Sequence, residues 1–232
     1  ASTKDVVIQL HFVAYHQITY EMLETVERSC DGLILLGCYD SMMDSIPVHC
    51  PCVGVSMHNS YNGTVSTVSL DSINAAEQSL QYFEKLAIKK IKIISHSSPL
   101  YKFRGLVIHA HLQQAGFESE LVELDIPDLE ILDSEECGYL FLSATEYNKF
   151  AERYKQKYST LPTEKYNILT TDGKSLLFPE YHPVSTIGTD WKQVGYIALQ
   201  ECLFRIENPK VGSRRIYTDS FLHVQTNQGM NI

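Results

Sequence analysis

Apolar and polar positions in this chain alternate between a period near two and a period near 3.6, in segments long enough to place elements. Val6-Val7-Ile8-Gln9-Leu10 is a short apolar run and predicts a buried strand. Tyr15 to Ser29 follows with helical spacing, carried by Met22, Leu23 and Val26. Gly32 to Gly37 encloses Leu33-Ile34-Leu35-Leu36, a continuous apolar run of the kind buried on both faces of a parallel sheet. Pro51 to Ser56 predicts the next strand, and the polar, turn-rich His58-Asn59-Ser60-Tyr61-Asn62-Gly63 ends it.

The pattern is clearest from Val65 to Leu124. Val65 to Leu70 is a strand, and Asp71-Ser72 caps a helix, because a short polar side chain accepts from free backbone N–H groups. Ala76, Leu80, Phe83 and Ala87 give that helix one apolar face. Ile91 to Ser95 is a strand. A second helix follows, opened by Arg104 and stopped by Gly116, which takes positive φ as a C-terminal cap does. Glu120 to Leu124 is another strand. Asp128 to Gly138 is acidic and unpatterned, Thr145 to Tyr158 is a polar helix, and Asn167 to Thr170 is a strand. Trp191 to Ile206 is a helix facing Val194, Gly195, Ala198, Leu199, Cys202 and Ile206 inward. Arg215 to Gln225 closes the chain as one strand. Strands alternating with helices predict an α/β fold with parallel sheets and right-handed crossovers. In such folds ligands bind at the carboxyl ends of the strands, where Arg104 is expected to look.

Composition narrows the partners. The 232 residues suit one large domain or two lobes, with 44% hydrophobic content and a formal net charge of -9. That acidity argues against direct nucleic-acid binding, which normally shows a basic face. The Lys89-Lys90-Lys92 and Arg214-Arg215 clusters read as solvated element ends. Six cysteines (Cys30, Cys38, Cys50, Cys52, Cys137 and Cys202) form no regular framework and are expected as free thiols in a reducing cytoplasm. No apolar run is long enough to span a membrane, and no charged n-region with an apolar h-region opens the given sequence. The chain begins Ala1-Ser2-Thr3 without methionine, which leads us to expect a processed chain or a piece of a longer one.

Four stretches, in order, resemble one family. Asp31 to Leu35 resembles its Asp-Gly-Ile-Ile-Leu strand. Val68 to Ile94, with Asp71 and Ala75-Ala76, resembles its following helix and strand. Arg104 to Gly116 resembles its arginine-to-glycine helix with the spacing intact. Asp190-Trp191 to Pro209 resembles its last long helix. The family is the effector-binding domain of the lactose-repressor/galactose-repressor family of bacterial transcription regulators. The resemblance implies two Rossmann-like lobes with parallel sheets flanked by helices, periplasmic-binding-protein-like, type I. The lobes are expected at 1–70 plus 185–212 and at 71–184 plus 213–232, with hinges near Leu70, Val184 and Gly212. It further implies a small-molecule effector, sugar-like or nucleoside-like, between the lobes. A homodimer is implied too, and operator DNA reached only through a helix-turn-helix headpiece that is not in this chain. No cofactor, metal or membrane is implied.

The resemblance also carries departures. The family's first strand and helix are expected to be missing before Val6. Its Asn-Asp element is expected to survive only as Thr171-Asp172-Gly173, without the helix and strand that follow it. The family's last pocket aspartate is therefore expected to have no counterpart, and Ile126 to stand at the aromatic stacking position.

Each candidate residue has a plainer alternative. Arg104 reads as the ligand anchor, since a guanidinium binds hydroxyls, carboxylates or purine edges in a planar fork. The alternative is a surface arginine at a helix start, where a cation opposes the helix dipole. Asp71 reads equally as ligand acceptor and helix cap. Thr171 and Asp172 either bind the effector or form a turn with Gly173. Ser56, His58 and Tyr61 either line the first lobe or sit in a solvated loop. Trp191 either stacks on a ligand or packs the hinge. His49-Cys50-Pro51-Cys52 has the wrong spacing for a zinc pair. His109 and His111 do not share a helix face. No catalytic motif is present, so an enzyme is not expected. The main reading is a cytoplasmic sensor domain of a transcription regulator, and the alternative is a periplasmic solute-binding protein for a sugar transporter.

Overall fold

The computed structural model describes residues 5–12, 19–36, 49–56, 64–123, 128–173, 177, 179 and 183–225. Its helices are α1 (Tyr20–Glu27), α2 (Ser72–Lys85), α3 (Pro99–Gln114), α4 (Ala144–Tyr158) and α5 (Trp191–Glu207). Its strands are β1 (Leu33–Leu36), β2 (Cys52–Val55), β3 (Val65–Leu70), β4 (Lys90–Ser95), β5 (Glu118–Glu123), β6 (Cys137–Phe141), β7 (Asn167–Thr170), β8 (Ser185–Gly188), β9 (Arg215–Thr218) and β10 (Phe221–His223).

Among the described residues these strands form two sheets. One has the order β1-β2-β3-β9 and the other β10-β8-β7-β6-β4-β5, parallel throughout except where β10 joins β8. Each sheet is covered on both faces. In the larger sheet Tyr139, Phe141 and Ile168 point to one side, against Tyr147, Phe150 and Ala151 of α4. Leu140, Leu142, Leu169 and Ile187 point to the other, against Ala76, Phe83, Ile108 and Leu112 of α2 and α3. In the smaller sheet Leu33, Leu35 and Cys52 meet Leu23 of α1, while Val53, Val55 and Val68 meet Val194, Ala198 and Cys202 of α5. Alternate residues of a strand face opposite sides, so a doubly covered sheet needs apolar residues at both parities. The strands β2 and β6 are buried at every position.

Glu201 of α5, nearly fully buried, ties the smaller sheet together. It accepts from the Ser66 hydroxyl at 2.7 Å and pairs with the Arg214 guanidinium, which stacks on Phe204. Asp71 caps α2 as its sequence position predicts, with Oδ1 accepting from Ile73 N at 2.8 Å and Asn74 N at 3.4 Å. The five cysteines among the described residues are free thiols. Cys50 is pushed up to about 12 by burial first, and then by the nearby Glu27 carboxylate. No helix among the described residues is long and apolar enough to cross a membrane.

Several elements differ from the sequence expectation. Val6 to Leu10 is no strand: it carries no regular structure, and Val7 is 92% exposed. A strand exists only when a neighbour takes its backbone hydrogen bonds, and no described strand lies beside it. The apolar run of β1 is buried on one face only, with Leu36 open, because β1 is the edge strand of its sheet. β6 had no counterpart in the pattern reading. Arg104 does not open its helix but is the sixth residue of α3. Gly195 faces solvent, not the core. The single closing strand is in fact two, β9 and β10, which belong to different sheets.

That last point moves the expected division of the chain. Residues 185–188 join the six-stranded sheet, and 215–218 join the four-stranded one. The chain passes between sheets at Asp71, at Thr189-Asp190 and at Asp219-Ser220, so of the three expected hinge positions only Leu70 adjoins a crossing. The crossings touch. Asp71 N donates to Thr218 O at 3.0 Å, Thr189 Oγ1 donates to Asp219 O at 2.9 Å, and the Ser220 hydroxyl donates to Asn74 Oδ1 at 2.6 Å.

Candidate functional site

Three adjacent strands of the larger sheet, β4, β6 and β7, end side by side. The ladder runs one residue past β6 and β7, with Leu142 N donating to Ile94 O and Thr171 N donating to Phe141 O. Those bonds hold Leu142 and Thr171 rigidly at the carboxyl edge of the sheet. The Thr171 hydroxyl donates to Leu142 O at 2.6 Å, which fixes its rotamer and leaves its oxygen free to accept.

The chain then turns sharply. Asp172 and Gly173 both take positive φ, 72° and 80°. Such a backbone is uncommon for a residue with a side chain. It is held here by Gly173 N, which donates to Ile187 O at 3.1 Å, and by the close approach of Gly173 to Gly188. The turn directs the Asp172 carboxylate at α3.

Two residues of α3, three apart and therefore on one face, meet that carboxylate. Arg104 Nη1 donates to Asp172 Oδ1 at 3.0 Å and to Thr171 Oγ1 at 3.3 Å. Tyr101 donates its hydroxyl to Asp172 Oδ2 at 2.8 Å. The Arg104 guanidinium lies over the Tyr101 ring, 5.3 Å from its centroid, and the His96 ring meets Tyr101 edge-on at 6.3 Å. Burial, and then the Asp172 charge, hold the Tyr101 phenol well above its ordinary range, so it stays a proton donor. The Arg104 and Asp172 side chains are only 3% and 11% exposed, so this is a buried ion pair and not a screened surface contact.

The expected site residues therefore separate. Arg104, Thr171 and Asp172 come together. Asp71 and Trp191 lie at two of the crossings, each starting a helix unit of its own, and no hydrogen bond among the described residues joins Asp71 to the Arg104 group. Trp191, 38% exposed, is the first residue of α5 and is not packed into a core. His58, with Tyr61 and Ile126, lies outside the described residues. Among the described residues no three His, Cys, Asp or Glu side chains are grouped to hold a metal ion.

The elements before Thr171 are complete. A complete strand–helix–strand unit, β6–α4–β7, precedes Thr171. The place before the helix is held by Ser143, which caps α4 by accepting from Glu146 N at 3.3 Å. Thr171 and Asp172 stand at the end of the following strand. An aspartate, Asp172, thus stands at the last strand end of the cluster. Sequence reasoning also missed Tyr101. Its signal was available: it precedes Arg104 by one helical turn.

No protein-family model matches the chain, and no curated protein matches it in sequence. Solved structures do resemble it, and the class they define is the periplasmic-binding-protein-like α/β fold of type I, shared by LacI-type regulators. One is the periplasmic binding protein/LacI transcriptional regulator from Alkaliphilus metalliredigens QYMF complexed with D-xylulofuranose. It has 15% identity and a TM-score of 0.66 over 88% of this chain and 80% of that one. A second is the transcription regulator CcpA of Lactococcus lactis, with 17% identity and a TM-score of 0.69 over 88% and 81%. A third is the periplasmic binding ribose operon repressor protein from Lactobacillus acidophilus, with 15% identity and a TM-score of 0.69 over 90% and 81%. At these identities the likeness is one of fold.

Proposed function

We propose that this chain is the ligand-sensing and dimerising domain of a cytoplasmic bacterial transcription regulator. A small-molecule effector binds between the two sheets' lobes, and operator DNA is reached through a helix-turn-helix headpiece that is not within these 232 residues. The observation that carries the reading is the buried Arg104, which reaches from α3 to Thr171 and Asp172 at the carboxyl edge of the larger sheet. A guanidinium fixed by a strand-end carboxylate is a preorganised fork for a polar ligand. The fold of sugar-liganded regulators supports the same reading.

One lobe is the four-stranded sheet with α1 and α5, and the other is the six-stranded sheet with α2, α3 and α4. The effector binds the closed arrangement better than the open one, and the shift in population changes how the dimer presents its headpieces. Asp71 and Trp191, at the crossings, change their surroundings as the lobes move.

A thermal-shift panel of sugars, sugar phosphates, nucleosides and amino acids tests this. A ligand at a hundredfold excess over its dissociation constant stabilises the folded state by about 2.7 kcal/mol. We expect at least one such ligand, and at least a tenfold loss of its affinity in Arg104→Lys, which keeps a charge facing Asp172. Silence across the panel, or a hit indifferent to Arg104→Lys, would overturn the assignment of this site.

A further inference from the structure

Two thiols meet at the amino ends of β1 and β2, in the sheet that does not carry Arg104. The parallel register sets Leu33 opposite Cys52, and Leu33 N donates to Pro51 O at 2.9 Å. Carried two residues back, that register sets Asp31 beside Cys50, so Cys30 stands one residue from the place opposite Cys50. Neighbouring strands lie about 4.8 Å apart, and a disulfide spans Cα atoms about 4.4–6.8 Å apart. Cys30 and Cys50 also share a side of the sheet. Both pack, partly buried, against Leu23, Leu33, Leu35, Cys52 and Val65.

Exposure singles out this pair. Cys52 is 0% exposed, and Cys202, at 5%, packs with Val53, Val55 and Val68 on the opposite face. Cys137 is buried in the larger sheet. Cys30 and Cys50 are the two partly exposed thiols among the described residues, so an oxidant in solvent reaches them before the others. Cys38 lies outside the described residues.

Both thiols are held from the carboxyl end of α1. Cys30 Sγ donates to Val26 O at 3.2 Å. Glu27 Oε1 accepts from His49 N at 2.7 Å, which brings its carboxylate beside Cys50. Burial first, and then that carboxylate and the neighbouring Cys30, keep the Cys50 thiol protonated. The thiolate is the attacking form of cysteine, so Cys50 is not the sulfur that attacks an oxidant first.

We propose that Cys30 and Cys50 are a redox-active pair that a peroxide closes to a disulfide, at a site independent of the effector reading above. Cys30, as thiolate, attacks one oxygen of hydrogen peroxide. The O–O bond breaks, hydroxide leaves and takes up the Cys30 proton as water, and Cys30 becomes a sulfenic acid. The Cys50 sulfur then attacks the Cys30 sulfur. The S–S bond forms, the S–O bond breaks, and the oxygen leaves as water with the Cys50 proton, for which Glu27 is the nearby acceptor. Two thiols and one peroxide thus give one disulfide and two waters, the sulfurs losing the two electrons that the peroxide gains. The bond closes a loop that contains β1 and fastens the end of α1 to the start of β2, which restricts the unfolded chain.

The test uses the whole chain, reduced and then exposed to a brief pulse of hydrogen peroxide. We expect two thiols to be lost per chain, and peptide mapping without reductant to find Cys30 joined to Cys50. The linked chain is expected to melt at a higher temperature than the reduced one, and a thiol reductant is expected to reverse the gain. Both side chains are partly exposed, so Cys30→Ser and Cys50→Ser are expected to fold, with circular dichroism as the check. Cys50→Ser is expected to stop at a sulfenic acid on Cys30, trapped by dimedone, and Cys30→Ser to leave Cys50 reduced. A link from either residue to Cys38 or Cys202, a link between two chains, or no loss of thiols would overturn the pair. A linked chain that melts no higher than the reduced one would overturn the fastening of α1 to β2. None of these outcomes bears on Arg104, so the sensor reading stands or falls by its own ligand panel.

Discussion

Asp172 shows how one side chain organises the candidate site. Its carboxylate lies 68 residues from Arg104 in sequence and 3.0 Å from it in space. Breaking a buried ion pair from one side leaves the other charge uncompensated, at about 3–5 kcal/mol. Asp172→Ala is therefore expected to destabilise the protein by about that much in urea denaturation. A loss below about 1 kcal/mol would mean that water reaches the Arg104 guanidinium and screens it. Arg104 itself was legible as a cation in the helix beyond Ser95. Its burial and its choice of partner were not, since helical periodicity says which residues share a face but not which distant strand end that face meets.

The elements around the site depend on close backbone contact as much as on side chains. A Cβ on Gly188 would stand 2.6 Å from the Gly173 Cα, a backbone atom that cannot swing away. Gly188→Ala is thus expected to push the Asp172-Gly173 turn off β8. The expected outcome is a loss of about 1–3 kcal/mol, read by thermal denaturation, together with weaker binding of any Arg104-dependent ligand. Unchanged stability would show that the turn relaxes freely. Most helices and strands were legible because their patterns are local. β6 was not, although Tyr139, Leu140, Phe141 and Leu142 are all fully buried. An acidic, unpatterned stretch precedes it, and a central strand covered on both faces shows no alternation to recognise. Val6 to Leu10 failed in the opposite sense: it reads as a strand, but strand formation is decided by a neighbour and not by the segment alone.

At the scale of the molecule, the three crossings between sheets form one hydrogen-bonded junction. Asn74 Oδ1 accepts from both the backbone N–H and the hydroxyl of the buried Ser220, at 2.9 and 2.6 Å, clasping α2 to the crossing that leads into β10. Asn74→Ala leaves that buried N–H unpaired, a cost of about 1–3 kcal/mol. We expect faster amide exchange at Asp219 and Ser220 with no change in the β6 amides; unchanged protection at the crossing would mean that Asn74 does not hold it. The sequence by itself determined the α/β class, the order of most elements, the helix caps at Asp71 and Gly116, and Arg104 as a residue to watch, because propensity, periodicity and capping act within a few residues. Only the tertiary structure decided which strand joined which sheet, where the chain crosses, that β9 and β10 part company, and that Tyr101, Arg104, Thr171 and Asp172 close on one another. Those outcomes rest on hydrogen bonds and packing between segments tens of residues apart, and the local pattern carries no record of which distant partner will complete them.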